Sequence, residues 1–153
     1  MASDSVLLSI KKHHEICCLQ PANKEDIEMA EKTLGICFPA DLVNLLMICN
    51  GAELLLEHPS SKELIVYDTA YWPIEEIVNY SQQMNDNFSN ENLDKKLLCF
   101  AGNGCGDQFC YVKDGNRLLP SIWVYYPTTG EVFFFAKDLE EWAAEWFSGN
   151  KYT

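Results

Sequence analysis

The segment FAGNGCGDQFCYV, residues 100–112, places three glycines at alternate positions ahead of an aspartate. Glycine-rich loops bind phosphate through converging backbone N–H groups, but a Walker-type loop also needs Lys and Ser/Thr after its last glycine. Asp107 follows here instead, at the position where a dinucleotide fingerprint counted from Gly102 requires glycine, and its carboxylate would repel pyrophosphate. We therefore predict a tight turn between antiparallel strands, in which Gly104 and Gly106 adopt left-handed conformations and Asp107 accepts backbone hydrogen bonds.

The segment HHEICC contains residue types that bind zinc. His13 and Cys17, like His14 and Cys18, would share a helix face at i, i+4. Consecutive ligands point to different faces, however, and the sequence has no second CxxC or HxxxH cluster to complete a tetrahedral site. No metal or other cofactor is predicted, and whether these four residues ever bind metal stays open.

Nucleophilic catalysis has little support in the sequence. Cys105 lies in the glycine turn, but no histidine occupies a recognisable motif near it, and His58 belongs to an ordinary polar segment. The motifs H-E-x-x-H and G-x-S-x-G are missing from the sequence. The sequence therefore predicts that the protein is not an enzyme. The alternative that remains is a small hydrolase or zinc enzyme that uses Cys105 or the cluster from His13 to Cys18.

The charge balance restricts the class of partner. The 153 residues carry 23 acidic and 11 basic side chains, a formal net charge of −12, and Arg117 is the one arginine. Nucleic acids and anionic membranes are bound by Lys/Arg patches, so direct binding to either is disfavoured. An acidic protein is steered toward basic partners or cations.

Composition also predicts where the protein resides. No apolar run approaches the roughly 20 residues of a membrane span, and the N-terminal segment lacks the pattern of a secretory signal. The seven cysteines lie mostly within apolar runs. We therefore expect a cytoplasmic protein, a single domain over residues 1–153, whose cysteines are reduced.

Two amphipathic helices are predicted near the N-terminus. In NKEDIEMAEKTLG, Asn23 suits the N-cap and Gly35 suits the left-handed C-cap. In PADLVNLLMICNG, Pro39 fits the first turn, while Asn50 and Gly51 tolerate the positive φ that ends a helix.

The remainder of the chain changes to the period of β-strands. Five short segments are rich in aromatic and branched residues and bounded by turn signals: 64–68, 97–101, 107–112, 121–126 and 131–136. A helix is predicted to begin at Pro73, and another to begin after Asp138, while the polar residues 84–96 are predicted to form a loop. The fold class is α+β: a central antiparallel sheet of about five to six strands with N-terminal helices and a C-terminal helix packed on it.

The run PANKEDIEMAEKTLGICFPADLVNLLMICNGAEL resembles the opening signature of the SUKH superfamily, which includes fungal cell-wall-synthesis regulators and bacterial immunity proteins. The residues that match the signature are Glu31, Leu34-Gly35, Phe38-Pro39 and Asn50-Gly51, with Phe38 in place of the usual leucine. The stretches YWPIEEIVNYSQQ, GCGD and KDLEEWAAEWF are similar to later family segments, so the resemblance covers residues 21–147.

This resemblance implies a protein-binding domain without catalysis: an immunity protein that neutralises a cognate polymorphic toxin in contact-dependent bacterial competition. Such toxins are often nucleases, and an acidic inhibitor suits the basic surface with which a nuclease holds phosphate. The alternative is a regulatory scaffold like the fungal relatives.

Two groups of residues are singled out on this basis. The expected partner contacts are exposed acidic or aromatic side chains near the glycine turn and the polar segment: Asp86, Glu91, Asp107, Asp114, Trp123 and Tyr125. The residues expected to serve caps and turns are Glu31, Gly35, Pro39, Asn50, Gly51, Gly104 and Gly106. In a strand, Trp123 and Tyr125 share one face.

Overall fold

The computed structural model describes residues 2–91 and 94–151, and the side chains of 4–88 and 94–151. The helices are α1 (Ala2–Lys11), α2 (Lys24–Leu34), α3 (Ala40–Ile48), α4 (Ile74–Glu91) and α5 (Leu139–Phe147). The strands are β1 (Glu15–Cys18), β2 (Ala52–Glu57), β3 (Leu64–Tyr71), β4 (Lys95–Gly102), β5 (Gln108–Asp114), β6 (Arg117–Leu118), β7 (Ile122–Tyr126) and β8 (Glu131–Ala136). The α+β class is confirmed.

The corner between α2 and α3 is built from local hydrogen bonds. The side chain of Asn23 accepts the N–H of Asp26 at 2.8 Å and caps the start of α2. Gly35, at a φ of 67°, ends the helix by donating its N–H to the carbonyl of Glu31 at 2.8 Å. The carboxylate of Glu31 then accepts the N–H of Phe38 at 2.7 Å. Glu31 therefore holds both sides of the corner, which explains its place in the signature.

Helix α3 begins directly after Pro39, whose φ of −66° is already helical in value and whose missing N–H leaves no donor unsatisfied. Pro39 is the N-cap residue rather than part of the first turn. The apolar face of the helix is fully buried through Leu42, Leu45 and Leu46.

The Asn50-Gly51 pair does more than end α3. The side chain of Asn50 accepts the N–H of Ile74 at 3.0 Å and so caps α4, which follows a whole hairpin later. Gly51 has a φ of 95°, and a Cβ on it would lie 2.8 Å from the ring nitrogen and Cδ of Pro73. This pair therefore fixes the start of α4, because Asn50 caps the helix and Gly51 packs against Pro73.

The strands form two antiparallel sheets. The first has the order β1-β2-β3, and the second has the order β4-β5-β7-β8 with the short β6 paired to β5. The sheets meet where the N–H of Trp72 donates to the carbonyl of Phe100 at 2.8 Å. Four of the five predicted strands belong to the second sheet, and the predicted strand 64–68 is the edge of the first.

Helix α4 covers the outer edge of the second sheet with hydrogen bonds. The hydroxyl of Ser81 accepts the N–H of Cys99 at 2.9 Å. One turn later, the amide of Asn85 accepts the N–H of Leu97 at 2.8 Å and donates to its carbonyl at 2.9 Å. These side chains take the place of a neighbouring strand for the backbone groups of Leu97 and for the N–H of Cys99.

Helix α5 packs on an aromatic layer of the same sheet. Trp142 is fully buried and makes edge-to-face contacts with Phe100 and Phe109 at ring-centroid distances of 4.9 and 5.6 Å. Trp146 contacts Phe109 at 5.0 Å. A buried aromatic side chain removes about 150–250 Å² from water, equivalent to about 4–6 kcal/mol of transfer free energy. This layer is therefore a large share of the core.

The predicted loop over residues 84–96 is wrong. Helix α4 continues to Glu91, and β4 begins at Lys95. Met84 and Phe88, four residues apart, both pack on the core, and Asp86 and Asn87 between them lie on the solvent face of the helix. Polar composition was mistaken here for the absence of regular structure.

The prediction of reduced cysteines is also wrong in part. Cys18, at the end of β1, forms a disulfide with Cys49, which follows α3, and their Cα atoms are 5.3 Å apart. The other cysteines are free, and of these Cys99 and Cys110 are fully buried as predicted for small core residues. The pairing joins segments 31 residues apart, a contact that sequence spacing did not indicate.

Gly51 and Gly106 have nearly equal φ values, so substituting each of them by alanine separates the effect of steric conflict from that of backbone strain. Gly51→Ala and Gly106→Ala both place alanine at a φ near +95° (95° and 96°), but no atom lies within 4 Å of a Cβ at Gly106. Both substitutions should lower the free energy of unfolding by roughly 1–2 kcal/mol of left-handed strain. Gly51→Ala should lose about 1–3 kcal/mol more, because its Cβ overlaps Pro73. Urea denaturation measures the free energy of unfolding of both variants. Equal decreases would contradict the close packing of Gly51 against Pro73.

Candidate functional site

The glycine segment is a tight connection between β4 and β5, as predicted. Gly104 and Gly106 have φ values of 84° and 96°. The side chain of Asn103 accepts the N–H groups of Cys105 and Asp107 at 2.8 and 3.2 Å. Its amide donates to the carboxylate of Asp107 at 3.1 Å. The backbone donors thus point at Asn103, which caps the turn in the role predicted for Asp107.

The turn packs beside the β2–β3 hairpin. A Cβ on Gly104 would lie 3.5 Å from a carboxylate oxygen of Asp68, and one on Gly102 would lie 3.3 Å from the ring of Trp72. Asp68 is exposed. The glycine turn and the base of the hairpin therefore form one continuous surface.

The β2–β3 hairpin extends beyond this base as an arm, residues 55–67. Leu56 pairs with Ile65, and Glu57 pairs with Leu64. The turn at its tip contains Lys62 at a φ of 64° and is closed by the N–H of His58 donating to the carbonyl of Glu63 at 2.7 Å. Strand β1 pairs with β2 only as far as Leu55, so the outer half of the arm consists of two strands.

The arm exposes apolar side chains on both of its faces. Paired residues share a face, and neighbours along a strand alternate. Leu56 and Ile65 therefore lie on one face, while Leu64 and Val66 lie on the other. Each of these side chains and Tyr67 is between 44% and 56% exposed: Leu56, Leu64, Ile65, Val66 and Tyr67. A cluster of exposed large apolar side chains is a feature of interaction sites.

Acidic side chains surround the apolar part of the arm. Glu57 and Glu63 flank its tip and Asp68 stands at its base, all exposed, against Lys62 in the turn. The hydroxyl oxygen of Tyr67 lies 3.1 Å from the ring nitrogen Nδ1 of His14. Burial and the neighbouring Asp68 carboxylate raise the pKa of Tyr67 above its ordinary value.

The acidic residues predicted as partner contacts are not brought together. Asp107 lies at the glycine turn and Asp114 at the far end of β5, roughly 24 Å away at about 3.4 Å per residue. Asp86 is exposed on α4, and Asp114 is also exposed. Glu91 is the last residue of α4, and its side chain lies outside the described part of the structure.

The two aromatic candidates differ in accessibility. Trp123 is half-buried, and its ring contacts that of Phe134, which is 54% exposed, at a centroid distance of 5.8 Å. The expected exposure of Tyr125 is wrong: it is 2% exposed and lies against Phe88 of α4 at 5.4 Å. Strand alternation places both side chains on one face, but only the region of Tyr125 is covered by the helix.

The His13–Cys18 segment does not converge. His14 contacts Tyr67 and the ring of Phe147, while Cys18 is bonded to Cys49. Across residues 2–91 and 94–151, no group of three or more His, Cys, Asp or Glu side chains is arranged to hold a metal ion.

The carboxyl group of Asp41 is half-buried at the start of α3. Its Oδ1 accepts the N–H of Leu42 at 2.9 Å and the hydroxyl of Tyr111 at 3.2 Å. Burial raises the pKa of Asp41 above 3.8, and these hydrogen bonds offset part of that increase. Since Tyr111 is itself buried and its pKa raised, the pair is a structural link between α3 and the second sheet.

The raised pKa of Asp41 gives stability a definite pH dependence. The folded state holds the proton at higher pH than the unfolded state, so the free energy of unfolding falls as pH rises above about 3.8 through the folded pKa. Asp41→Asn keeps the acceptor for Leu42 and Tyr111 but cannot ionise. Its stability relative to wild type should therefore rise over this pH range in urea titrations. Asp114→Asn controls for the change in net charge, and a pH-independent difference for Asp41→Asn would contradict the assignment.

A groove of about 510 Å³ lies between α2 and α4. Met29 and Val78 give it apolar surface, and Asp26 and Glu75 give it acidic surface. Its lining residues include no histidine or cysteine. The groove has the character of a contact surface rather than of a nucleophilic centre.

The exposed arm was missed by the sequence analysis, although a signal for it was present. The stretch ELLLEHPSSKELIVYD has two apolar runs around a Pro-Ser turn, which is a hairpin pattern. Only its second run was assigned as a strand. Nothing local in the sequence says that both faces of such a hairpin stay uncovered.

Comparison with known proteins identifies the family. The model of the SMI1 / KNR4 family (SUKH-1) matches residues 21–145. No curated protein matches the chain at a significant level. In the part of the chain that the structure describes, no helix is long and apolar enough to cross a bilayer. Because the family model matches most of its length, the chain belongs to the SMI1 / KNR4 family (SUKH-1).

Proposed function

We propose that this SMI1 / KNR4 family member is an immunity protein, which binds a cognate polymorphic toxin domain and neutralises it without catalysis. The family includes immunity proteins, which supports this class of function. The observation that carries the proposal is the net charge of −12 combined with exposed acidic side chains on several elements.

The acidic surface favours a basic toxin, and a nuclease in particular. A nuclease needs positive charge where it holds the phosphate backbone. An acidic inhibitor is attracted to that region from a distance and competes there with the substrate.

The carboxylates of the glycine turn and of the family signature have structural contacts. Asp107 is held by Asn103 in the glycine turn, and Glu31 accepts the N–H of Phe38. Their polar groups are used to fix the backbone. The carboxylates of Asp86 and Asp114 are exposed on the outer surface, where a protein partner could contact them.

The partner contacts are proposed as Asp86, Glu91, Asp107, Asp114 and Trp123, and Tyr125 is withdrawn because it is buried. We place the protein in the cytoplasm, where it would meet an incoming toxin, and assign it no cofactor. The Cys18–Cys49 disulfide is unusual for that compartment.

Co-expression with a toxin-like domain encoded next to its gene tests the proposal, and the absence of any such neighbouring gene would favour the regulatory scaffold. Cells producing that domain alone should die, and cells that also produce this chain should survive. In a purified assay, toxin activity should fall linearly and reach zero near equimolar inhibitor, since a non-catalytic inhibitor acts by occupancy. An unrelated protein of similar net charge is the control for charge alone.

Two results would count against the proposal. Inactivation of the toxin by a small fraction of one equivalent would indicate catalysis. If the toxin kills cells on its own and co-expression of this chain does not rescue them, this pairing is rejected and a regulatory scaffold is favoured.

A further inference from the structure

We propose that an extended, basic segment of the partner adds a strand to the outer edge of β3, residues 64–67, in addition to the contacts proposed above. The identity of the partner as a toxin domain rests on the proposed function. The location and the mode of binding rest on the arm itself.

The difference between the outer edges of β4 and β3 supports this location. The outer edge of β4 is covered in its middle by Ser81 and Asn85, which bond to backbone groups of Cys99 and Leu97. The first sheet ends at β3, and no further described strand pairs with its outer edge. An exposed edge of this kind is a template for another chain, since its N–H and C=O groups lack a neighbouring strand.

The sequence of β3 keeps this edge available. Edge strands are normally protected by lysine, proline or inward-pointing charges. The outer part of β3 reads Leu-Ile-Val-Tyr and has none of these. Its side chains are 44–55% exposed although they are large and apolar, which is unfavourable unless another surface covers them.

Strand addition matches the chemistry of the arm. In this mode of binding, main-chain hydrogen bonds give affinity, and alternate side chains of the added strand give specificity. Ile65 and Val66 lie on opposite faces, so side chains of an added strand would find an apolar neighbour on either side. The base of the arm is held in place by β1, which pairs with β2 up to Leu55.

The charged residues of the arm indicate which kind of segment would bind to β3. Glu57, Glu63 and Asp68 border the apolar residues, with Lys62 as the base among them. A second copy of this chain would bring the same acids, and a second net charge of −12, against them. An occupant with Lys or Arg beside apolar residues would instead be attracted, so the fitting segment is basic and apolar in alternation.

Hydrogen exchange with the adjacent-gene toxin domain tests the location. In the complex, backbone N–H groups within residues 64–67 should exchange at least about tenfold more slowly than in the free chain, because they gain hydrogen-bond partners. Protection confined to other elements, in a complex that forms, would overturn the inference and leave the proposed function intact.

Matched variants test the chemistry. Ile65→Thr with Val66→Thr keeps branched, strand-favouring side chains but removes apolar surface, and Phe133→Thr, at a residue 50% exposed on β8, is the control. The pair Glu57→Lys and Glu63→Lys tests charge, with Glu76→Lys and Glu140→Lys as exposed controls on helices. Each arm variant should weaken binding by at least about tenfold and each control by less than about threefold.

The remaining outcomes are also decisive. Circular dichroism and thermal unfolding confirm that each variant is folded before its affinity is compared. Equal affinities for arm and control variants would overturn the inference. Concentration-dependent dimerisation of the free chain through β3 would overturn the choice of occupant, and absence of any complex would overturn the inference together with the proposed function.

Discussion

The corner formed by Cys49, Asn50 and Gly51 is the constraint on which the rest of the fold depends. Gly51 takes a φ of 95° and lies so close to Pro73 that a side chain does not fit. Asn50 caps α4 through the N–H of Ile74, and Cys49 is bonded to Cys18 of β1. The carbonyl of Cys49 also accepts the hydroxyl of Tyr71, at the end of β3, at 2.8 Å. One corner therefore fixes a helix and two strands.

This arrangement explains why the outer edges of β4 and β3 differ. Helix α4, once seated, runs along β4 and covers its edge through Ser81 and Asn85. The first sheet is tied down at Cys18 and Tyr71, near the corner, while the opposite end of its hairpin extends away from the core. A rigid base with an uncovered end is suited to presenting a surface to another protein.

Features set by neighbouring residues were predictable from the sequence, and features set by distant contacts were not. Asn23, Gly35 and Asp138 act as caps as expected, because a cap depends on residues three or four positions away. The disulfide of Cys49 and the burial of Tyr125 under α4 join segments far apart in sequence. The same distinction between local and distant contacts applies to the candidate site.

Within that site, the glycine turn was predicted, because positive φ at Gly104 follows from local spacing. The accessibility of the arm could not be read from its letters, since Leu-Ile-Val-Tyr is equally typical of a buried strand. Only the placement of β1, α4 and the second sheet shows that nothing described covers it.

The central claim is that an acidic surface on a non-catalytic frame captures a basic partner. It is tested most directly by the association rate constant with the adjacent-gene toxin domain at ionic strengths from about 0.01 to 1 M, over which the Debye length shrinks from about 30 to 3 Å. We predict a saturable one-to-one complex whose association slows steeply as salt rises. An association rate that does not change with salt, or the absence of a complex, would contradict the account.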